Sequence, residues 1–173
     1  MIQKSIRVRL YPTEEQEVLI NKTIGCVRFI YNYTLEVCKT YYEQTNHFTP
    51  RNKRFTDLVP LKDEYEFLKE ADACALQQSV RDFCSALDNF FKNRSHFGFP
   101  KFKSKHDLKQ SYRTPYNRGN ASVVDNKHLK LPKLGKIKTK RFSMPEVYKV
   151  FNITVERTNT GKYYASICIE TEV

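Results

Sequence analysis

The first eleven residues show the alternation of a half-buried β-strand. From Ile6 to Leu10 apolar and basic side chains take turns, and successive side chains of an extended chain point to opposite faces. Pro12 ends the pattern, because proline has no backbone N–H to donate to a strand ladder. The sequence therefore predicts a first strand within residues 1–11.

Residues 12–95 carry a helical period instead. Thr13 and Gln16 have the spacing of a capping box, in which the hydroxyl accepts an early amide proton and the glutamine reaches back. Apolar side chains then recur at helical spacing as far as Tyr42. Gly25 interrupts this recurrence, which indicates a kink or a close packing point.

A second long helix is predicted after Asp72, whose carboxylate is suited to cap a first helical turn. Its apolar stripe recurs every three or four residues and is formed by Leu76, Val80, Phe83, Leu87 and Phe90. Such a stripe packs against another helix, so it is assigned to the core and given no ligand role. Residues 45–60, with Pro50 and Pro60, are predicted to form a loop.

From residue 96 onward turn residues separate short segments. The clearest are two alternating runs, 149–156 and 162–170, joined by a Thr-Asn-Thr-Gly turn, and they predict a hairpin. Several short strands between turns favour a small β-barrel that the first strand joins. The fold class is therefore α+β: residues 1–11 and 96–173 form the barrel, and residues 12–95 form a helical domain inserted after its first strand.

The cysteines and the N-terminus indicate the compartment. Five cysteines at unrelated spacings include no Cys-x-x-Cys pair and no zinc-ligand spacing with histidine, so buried thiols in a reducing cytosol are expected. The N-terminus lacks the apolar core of a signal peptide, and no run approaches the ~20 apolar residues of a membrane span. We expect a cytoplasmic protein that does not bind a membrane.

Charge separates the chain into two parts. The formal net charge is +11, from 30 Lys and Arg against 19 Asp and Glu. Residues 92–141 hold fifteen of the basic residues and only two acids, whereas residues 11–91 hold nine basic and thirteen acidic residues. Such asymmetry predicts a polyanionic partner more strongly than the total does, since the total alone also fits a basic, soluble surface.

Two segments combine this charge with other chemistry. In residues 96–105 lysines alternate with phenylalanines, so Phe99 and Phe102 either anchor in a core or stack on bases; because they flank Pro100, anchoring is favoured. In residues 127–141, the lysines at 136, 138 and 140 share one face if the segment is a strand. Their spacing of about 6.6–7 Å is close to the phosphate repeat of a nucleic acid. The alternative is a solvated strand face.

No catalytic centre is predicted. The chain has no Gly-rich phosphate loop, no Gly-x-Ser-x-Gly and no His-Glu-x-x-His. Two-metal nucleases need carboxylates that converge from separate elements, and here the acids cluster on the helical part. We expect no catalytic residue, no metal ligand and no cofactor.

Ordered blocks along essentially the whole chain carry a family resemblance. They are residues 9–13 with Gln16, 25–32, 75–80, 89–92, 98–103, 111–114, 130–135 and 161–166. Together they resemble the TnpB (OrfB) family, transposon-associated RNA-guided DNA endonucleases related to the type V CRISPR effectors. The resemblance implies the N-terminal half of such a protein, a wedge-type β-barrel with a helical recognition domain. The family's RuvC-like nuclease domain and zinc ribbon are expected past residue 173, so cleavage is not expected of this chain.

The resemblance also implies binding residues. The candidate RNA and phosphate contacts are Lys101, Lys103, Lys105, Lys109, Arg113, Lys130, Lys133, Lys136, Lys138, Lys140 and Arg141. The candidate DNA-motif readers are Gln77, Tyr116 and Asn117, although Gln77 by its sequence alone is more typical of a solvent-facing glutamine. The family pattern differs at Ala73, where a basic residue can occur, and at Pro50, where an aromatic can.

Two functions follow as hypotheses. The first is a recognition module that binds a guide-type structured RNA and double-stranded DNA beside a target. The second is a decoy or inhibitor, which sequesters guide RNA or docks on a related RNA-guided effector.

Overall fold

The computed structural model describes residues 1–172. Within them the chain forms β1 (Ile2–Tyr11), α1 (Glu14–Thr45), α2 (Arg51–Thr56), α3 (Leu58–Glu64), a 3-10 helix (Glu66–Glu70), α4 (Ala73–Lys92), β2 (Gln110–Pro115), β3 (Ser122–Asp125), β4 (His128–Leu131), β5 (Gly135–Thr139), β6 (Tyr148–Arg157) and β7 (Tyr163–Thr171). The predicted α+β class is confirmed.

The chain divides into two compact units. The sheet unit comprises Met1–Ile24 and the chain from Asp107 onward, and the helical unit comprises Gly25–His106. The helical unit is therefore inserted in sequence between β1 and β2. The domain limits predicted after residues 11 and 95 remain predictions.

The strands of the sheet unit form one antiparallel sheet. Over the described residues its order is β2-β6-β7-β1-β5-β4-β3. β1 pairs with β7 along nearly its whole length, whereas it pairs with β5 only through Leu10 and Tyr11. β6 and β7 form the predicted hairpin, and Gly161 in its turn has a φ of 80° that a side chain would disfavour.

Alternate residues of these strands are buried on one side of the sheet. β7 buries every second residue from Tyr163 to Thr171, and its neighbours bury Val8, Ile137 and Val155. The residues between them point to the opposite side, which is called the outer face below.

The start of α1 is the predicted capping box. The Gln16 N–H donates to Thr13 Oγ1 at 3.2 Å, and the Thr13 N–H donates to Gln16 Oε1 at 3.0 Å. Gln16 Nε2 also donates to the carbonyl oxygens of Leu134 and Lys136, at 3.3 and 2.9 Å. One side chain thus caps the helix and ties it to the β4–β5 turn.

The helical unit is built on the predicted stripe of α4. Leu76, Val80, Phe83 and Leu87 are buried, and Asp72 caps the helix by accepting the Cys74 N–H at 2.9 Å. α1 continues through Gly25, where an added Cβ would meet only the Arg28 side chain at 3.8 Å. Close packing at this glycine is therefore not found.

The loop predicted for residues 45–60 is wrong over its second half, which α2 and the start of α3 occupy. Pro50 immediately precedes α2 with a φ of −58°, and Pro60 lies in the first turn of α3. Backbone N–H groups at both places have no intrahelical acceptor, so proline costs little there. Pro50 and Pro60 therefore lie at the starts of two short helices and not in a loop.

Three further findings concern thiols, metals and membranes. The five cysteines are free thiols, and Cys26, Cys38 and Cys84 are buried. Among residues 1–172 no three His, Cys, Asp or Glu side chains come together in a way that could hold a metal ion. No helix in the same residues has both the length and the apolar character to cross a membrane.

Candidate nucleic-acid interface

The outer face of β4 and β5 carries lysines on both strands. In β5 the side chains of Ile137 and Thr139 are buried while Lys136 and Lys138 are exposed, so the two lysines share one face as predicted. Lys130 of β4 lies directly opposite Lys136 in the register. Like charges directly opposite each other destabilise a strand pair, so folding stability alone does not explain this arrangement.

Asp125, the last residue of β3, has its carboxylate beside this lysine face. Asp125 Oδ1 accepts the Lys127 N–H at 2.8 Å and lies 2.9 Å from His128 Nδ1. The backbone hydrogen bond first, then His128 and the charge of Lys136, hold the pKa of Asp125 below its ordinary 3.8. The Asp125 carboxylate thus interacts mainly with the backbone of Lys127 and the ring of His128, and less with the lysines of the face.

Two arginines of β1, neither of them among the predicted contacts, belong to the same outer face. Arg9 lies opposite Tyr164 of β7 in the register. The guanidinium carbons of Arg7 and Arg9 are 4.0 and 5.7 Å from the centre of the Tyr164 ring, and Arg9 is also 5.3 Å from the Tyr11 ring. These four residues are called the arginine–tyrosine cluster.

The ring contacts position the arginines. Arg7 makes an ion pair with Glu156 at 3.6 Å. Arg9 Nε is buried and has no hydrogen-bond partner within the part of the chain that is described. The guanidinium of Arg9 therefore lies within cation–π distance of two tyrosine rings.

Arg113, a predicted contact, is an exposed residue of β2. It lies opposite Thr154, which is opposite Ser166, which is opposite Arg7. Three strand spacings of 4.7–4.9 Å separate the two arginines, which places their backbones about 14 Å apart on one face.

The other predicted contacts of the sheet unit lie at its turns and connections. Lys133 has a φ of 68° in the β4–β5 turn and is exposed. Lys140 and Arg141 follow β5, and the Lys140 N–H donates to the Arg9 carbonyl oxygen at 2.9 Å. Lys109 is exposed immediately before β2.

The remaining three predicted lysines lie in the helical unit, on the segment of residues 93–106. Asn32 fixes this segment: its Oδ1 accepts the Lys103 N–H at 2.8 Å, and its Nδ2 donates to the Lys103 carbonyl oxygen at 2.9 Å. Lys103 Nζ lies 4.3 Å from the centre of the Tyr31 ring. Lys101 and Lys105 are exposed.

The two phenylalanines of this segment differ. Phe99 packs with Phe48 and Phe90, at ring distances of 6.3 and 5.4 Å, as the anchoring interpretation expected. Phe102 is 49% exposed, so the same interpretation is wrong for it. Pro100 lies between the two phenylalanines, so it did not indicate which of them would be exposed.

The candidate DNA-motif readers lie in both units. Gln77 is exposed on α4, whereas its neighbour Gln78 donates to Asp82 at 2.9 Å. Tyr116 is exposed, and the Asn117 N–H donates to Asn120 Oδ1 at 2.8 Å. Their DNA-reading role remains a prediction.

A family profile described as a helix-turn-helix domain of the OrfB/IS605 type matches residues 1–47. In this chain those residues form β1 and one continuous helix, α1, with no turn between two helices. The match therefore points to the family and not to a local two-helix geometry.

Curated relatives extend the likeness over nearly the whole chain. A Streptomyces pristinaespiralis protein named as an RNA-guided DNA endonuclease is 31% identical over 98% of this chain and 42% of its own length. Escherichia coli K12 InsQ, named in the same way, is 33% identical over 98% of this chain and 41% of its own length. The Salmonella dublin virulence protein VsdF is 34% identical over 60% of this chain and 94% of its own length.

The chain thus spans about two fifths of the length of the two relatives named as endonucleases. The profile match, these identities and the ordered sequence blocks agree on one assignment. The chain belongs to the TnpB/OrfB family.

Proposed function

We propose that the chain binds a guide-type structured RNA through the outer face of its sheet unit. The contacts would come from Lys130, Lys136 and Lys138, with the arginine–tyrosine cluster and Arg113 on the same face. We also propose that Gln77, Tyr116 and Asn117 read double-stranded DNA beside a target.

The observation that carries the RNA proposal is the direct opposition of Lys130 and Lys136. A strand pair of this kind places two lysine side chains at directly opposite positions of one face, and like charges at such positions destabilise the pair. A polyanion removes that cost, because each phosphate contact neutralises a lysine and releases a counterion from the nucleic acid.

The arrangement favours backbone contact over base reading. Lysine is a point charge on a flexible stem and approaches a phosphate from many directions. Contacts to phosphate fix register and orientation without carrying sequence information. This surface therefore suits an RNA that is recognised by its folded shape.

The test is the salt dependence of RNA binding, measured by fluorescence anisotropy with a structured RNA encoded beside the gene. The double variant Lys136→Gln/Lys138→Gln should weaken binding and reduce the slope of log K against log salt by about 1.4–1.8, the value for two phosphate contacts.

The matched control is Lys53→Gln/Lys69→Gln in the helical unit. These lysines already pair with Asp57 and Asp63, at 3.0 and 3.4 Å, so their removal should leave the slope unchanged. RNA binding that does not respond to salt, or equal losses in the two double variants, would refute the proposal.

The DNA proposal needs a separate readout. The RNA-loaded protein would select from duplexes randomised beside a fixed target, and Gln77→Ala should erase enrichment at one position. Gln78→Ala is the control, because Gln78 is already bonded to Asp82. Unchanged enrichment in Gln77→Ala would contradict the assignment.

A further inference from the structure

Phe102 is an aromatic residue on a basic segment with much of its ring in solvent. Its side chain is 49% exposed. Lys39 Nζ lies over the ring, 5.0 Å from its centre, which places a cation at one face. An exposed π-face next to an ammonium group suits a ligand that has both a flat ring and a negative charge.

The backbone that carries Phe102 is fixed before any ligand binds. Asn32 holds both the N–H and the C=O of the next residue, Lys103. Phe99 packs against Phe48 and Phe90, and Pro100 is buried. A pre-organised segment loses little conformational entropy on binding.

All the charged residues in the segment that contains Phe102, residues 93–106, are basic. Residues 93–106 contain Arg94, Lys101, Lys103 and Lys105 and no acid. Lys101 and Lys105 are exposed on either side of Phe102 in the sequence. A base on the ring would thus have cationic groups within reach of its flanking phosphates.

Exposure alone does not distinguish Phe102, as Phe67 of the same unit shows. Phe67 is 46% exposed, yet it packs edge-on against Phe29 and Tyr65. Its sequence neighbours include Glu66 and Glu70, whose charge would repel a phosphate. Phe67 therefore supplies a control of similar exposure without a surplus of positive charge around it.

We propose that Phe102 stacks on an unpaired base of bound RNA, so that residues 99–105 form a single-strand subsite of the helical unit. The inference rests on the proposed RNA-binding function and adds a place and a ligand conformation to it. A base inside a duplex has its faces covered by its neighbours, so only an unpaired base can occupy the ring.

The experiment uses the full chain and a short single-stranded RNA without self-complementarity, with the same sequence as DNA and as RNA duplex for comparison. Phe102→Ala should weaken binding of the single-stranded RNA by roughly 5- to 150-fold, the range for loss of one base–aromatic stack. Phe102→Tyr should retain binding, and Phe102→Leu should lose it. Binding of the duplex, and all binding by Phe67→Ala, should stay unchanged.

A second readout reports the stack itself. With 2-aminopurine in the strand, binding should quench its fluorescence in the wild type and in Phe102→Tyr but not in Phe102→Ala. If wild type binds RNA with the expected salt slope and Phe102→Ala changes neither readout, this inference fails while the proposed function stands. If wild type binds no RNA, both fail. A loss confined to the DNA strand would overturn the RNA assignment.

Discussion

The two units of this chain hold their charge in different ways. The sheet unit has seventeen basic and nine acidic residues, and the helical unit has thirteen and ten. In the helical unit basic side chains meet acids: Lys53 pairs with Asp57, Lys69 with Asp63 and Arg51 with Asp88. In the sheet unit Arg7 also pairs with Glu156, but Lys130 lies directly opposite Lys136 on the neighbouring strand.

The difference shows that the placement of charge, and not the net charge alone, distinguishes the surface for which we propose RNA binding. Exposed ion pairs such as those of the helical unit contribute little to stability, but they cancel the local potential. The excess of positive charge in the helical unit is confined to residues 93–106, because residues 25–92 hold nine basic and ten acidic residues. Unbalanced charge therefore marks two surfaces, the outer face of the sheet and the segment around Phe102.

The largest expected effect tests whether each unit depends on its own core. Leu76 and Ile153 are fully buried, one in each unit. Leu76→Ala and Ile153→Ala should each destabilise the protein by about 2–5 kcal/mol, the usual cost of such a cavity. Urea unfolding with hydrogen exchange would measure it; a cost below about 1 kcal/mol at either site would contradict the core assignment.

The sharpest test of the comparison changes the sign of one charge. Lys136→Glu places a carboxylate opposite Lys130 and removes an attraction to Asp125 that is smaller than those of the Lys127 N–H and His128. Stability should therefore still rise, by about 0.2–1 kcal/mol, the range for an opposite-charge cross-strand pair. RNA affinity should fall by about an order of magnitude in the same variant, because phosphate contacts are lost.

Lys136→Gln, which removes the repulsion without adding an attraction, should lie between wild type and Lys136→Glu in both measurements. Thermal unfolding and fluorescence anisotropy on the same samples would suffice. Stability and affinity that move in the same direction would rule out the explanation.

A smaller effect is expected from the arginine–tyrosine cluster. Tyr164→Ala removes the ring that Arg7 and Arg9 both contact. Exposed contacts of this type are worth about 0.5–1 kcal/mol each, so losing the equivalent of one contact in arginine pre-organisation should weaken RNA binding by roughly two- to fivefold. Tyr164→Phe keeps the ring and should bind as wild type does; a loss in Tyr164→Phe equal to that in Tyr164→Ala would assign the effect to the hydroxyl.

The smallest effect concerns the Asp125 carboxylate beside the lysines. The pKa of Asp125 is lower in the folded protein than its ordinary value of 3.8. The contacts of the ionised carboxylate therefore stabilise the fold at pH values above 3.8. This stabilisation is lost as the pH falls through the lowered pKa. An NMR titration of this carboxyl should show the low midpoint. His128→Ala should raise the pKa of Asp125 only part of the way to 3.8, because the hydrogen bond from the Lys127 N–H is the larger cause of the shift. A full return to 3.8 would show that His128 is the larger cause.

Local signals in the sequence predicted much of the fold. Thr13 and Gln16 form the capping box, Asp72 caps α4, and the β6–β7 hairpin turns at Gly161. Each depends on residues near one another in the chain. Pro50 and Pro60 misled the prediction, because proline disfavours a helix interior but fits a helix start.

The candidate site was predicted only in part, because its geometry depends on strand order. Alternation placed Lys136 and Lys138 on one face, and that arrangement is observed. It could not show that β1 lies between β5 and β7, which brings Arg9 beside Tyr164. Nor could it show that Asn32 would clamp Lys103, since 71 residues separate the two.

The short end strand β3 bears on how the protein behaves at high concentration. β3 has four residues, its register shifts between Val123 and Asp125, and its last side chain bonds back to Lys127. At the other edge of the sheet, β2 ends at Pro115, which has no N–H to donate. Short, bulged or proline-ended margins are poor templates for a strand of another molecule. The margins of the sheet for which we propose RNA binding are thus poorly suited to adding a strand from a second copy of the chain.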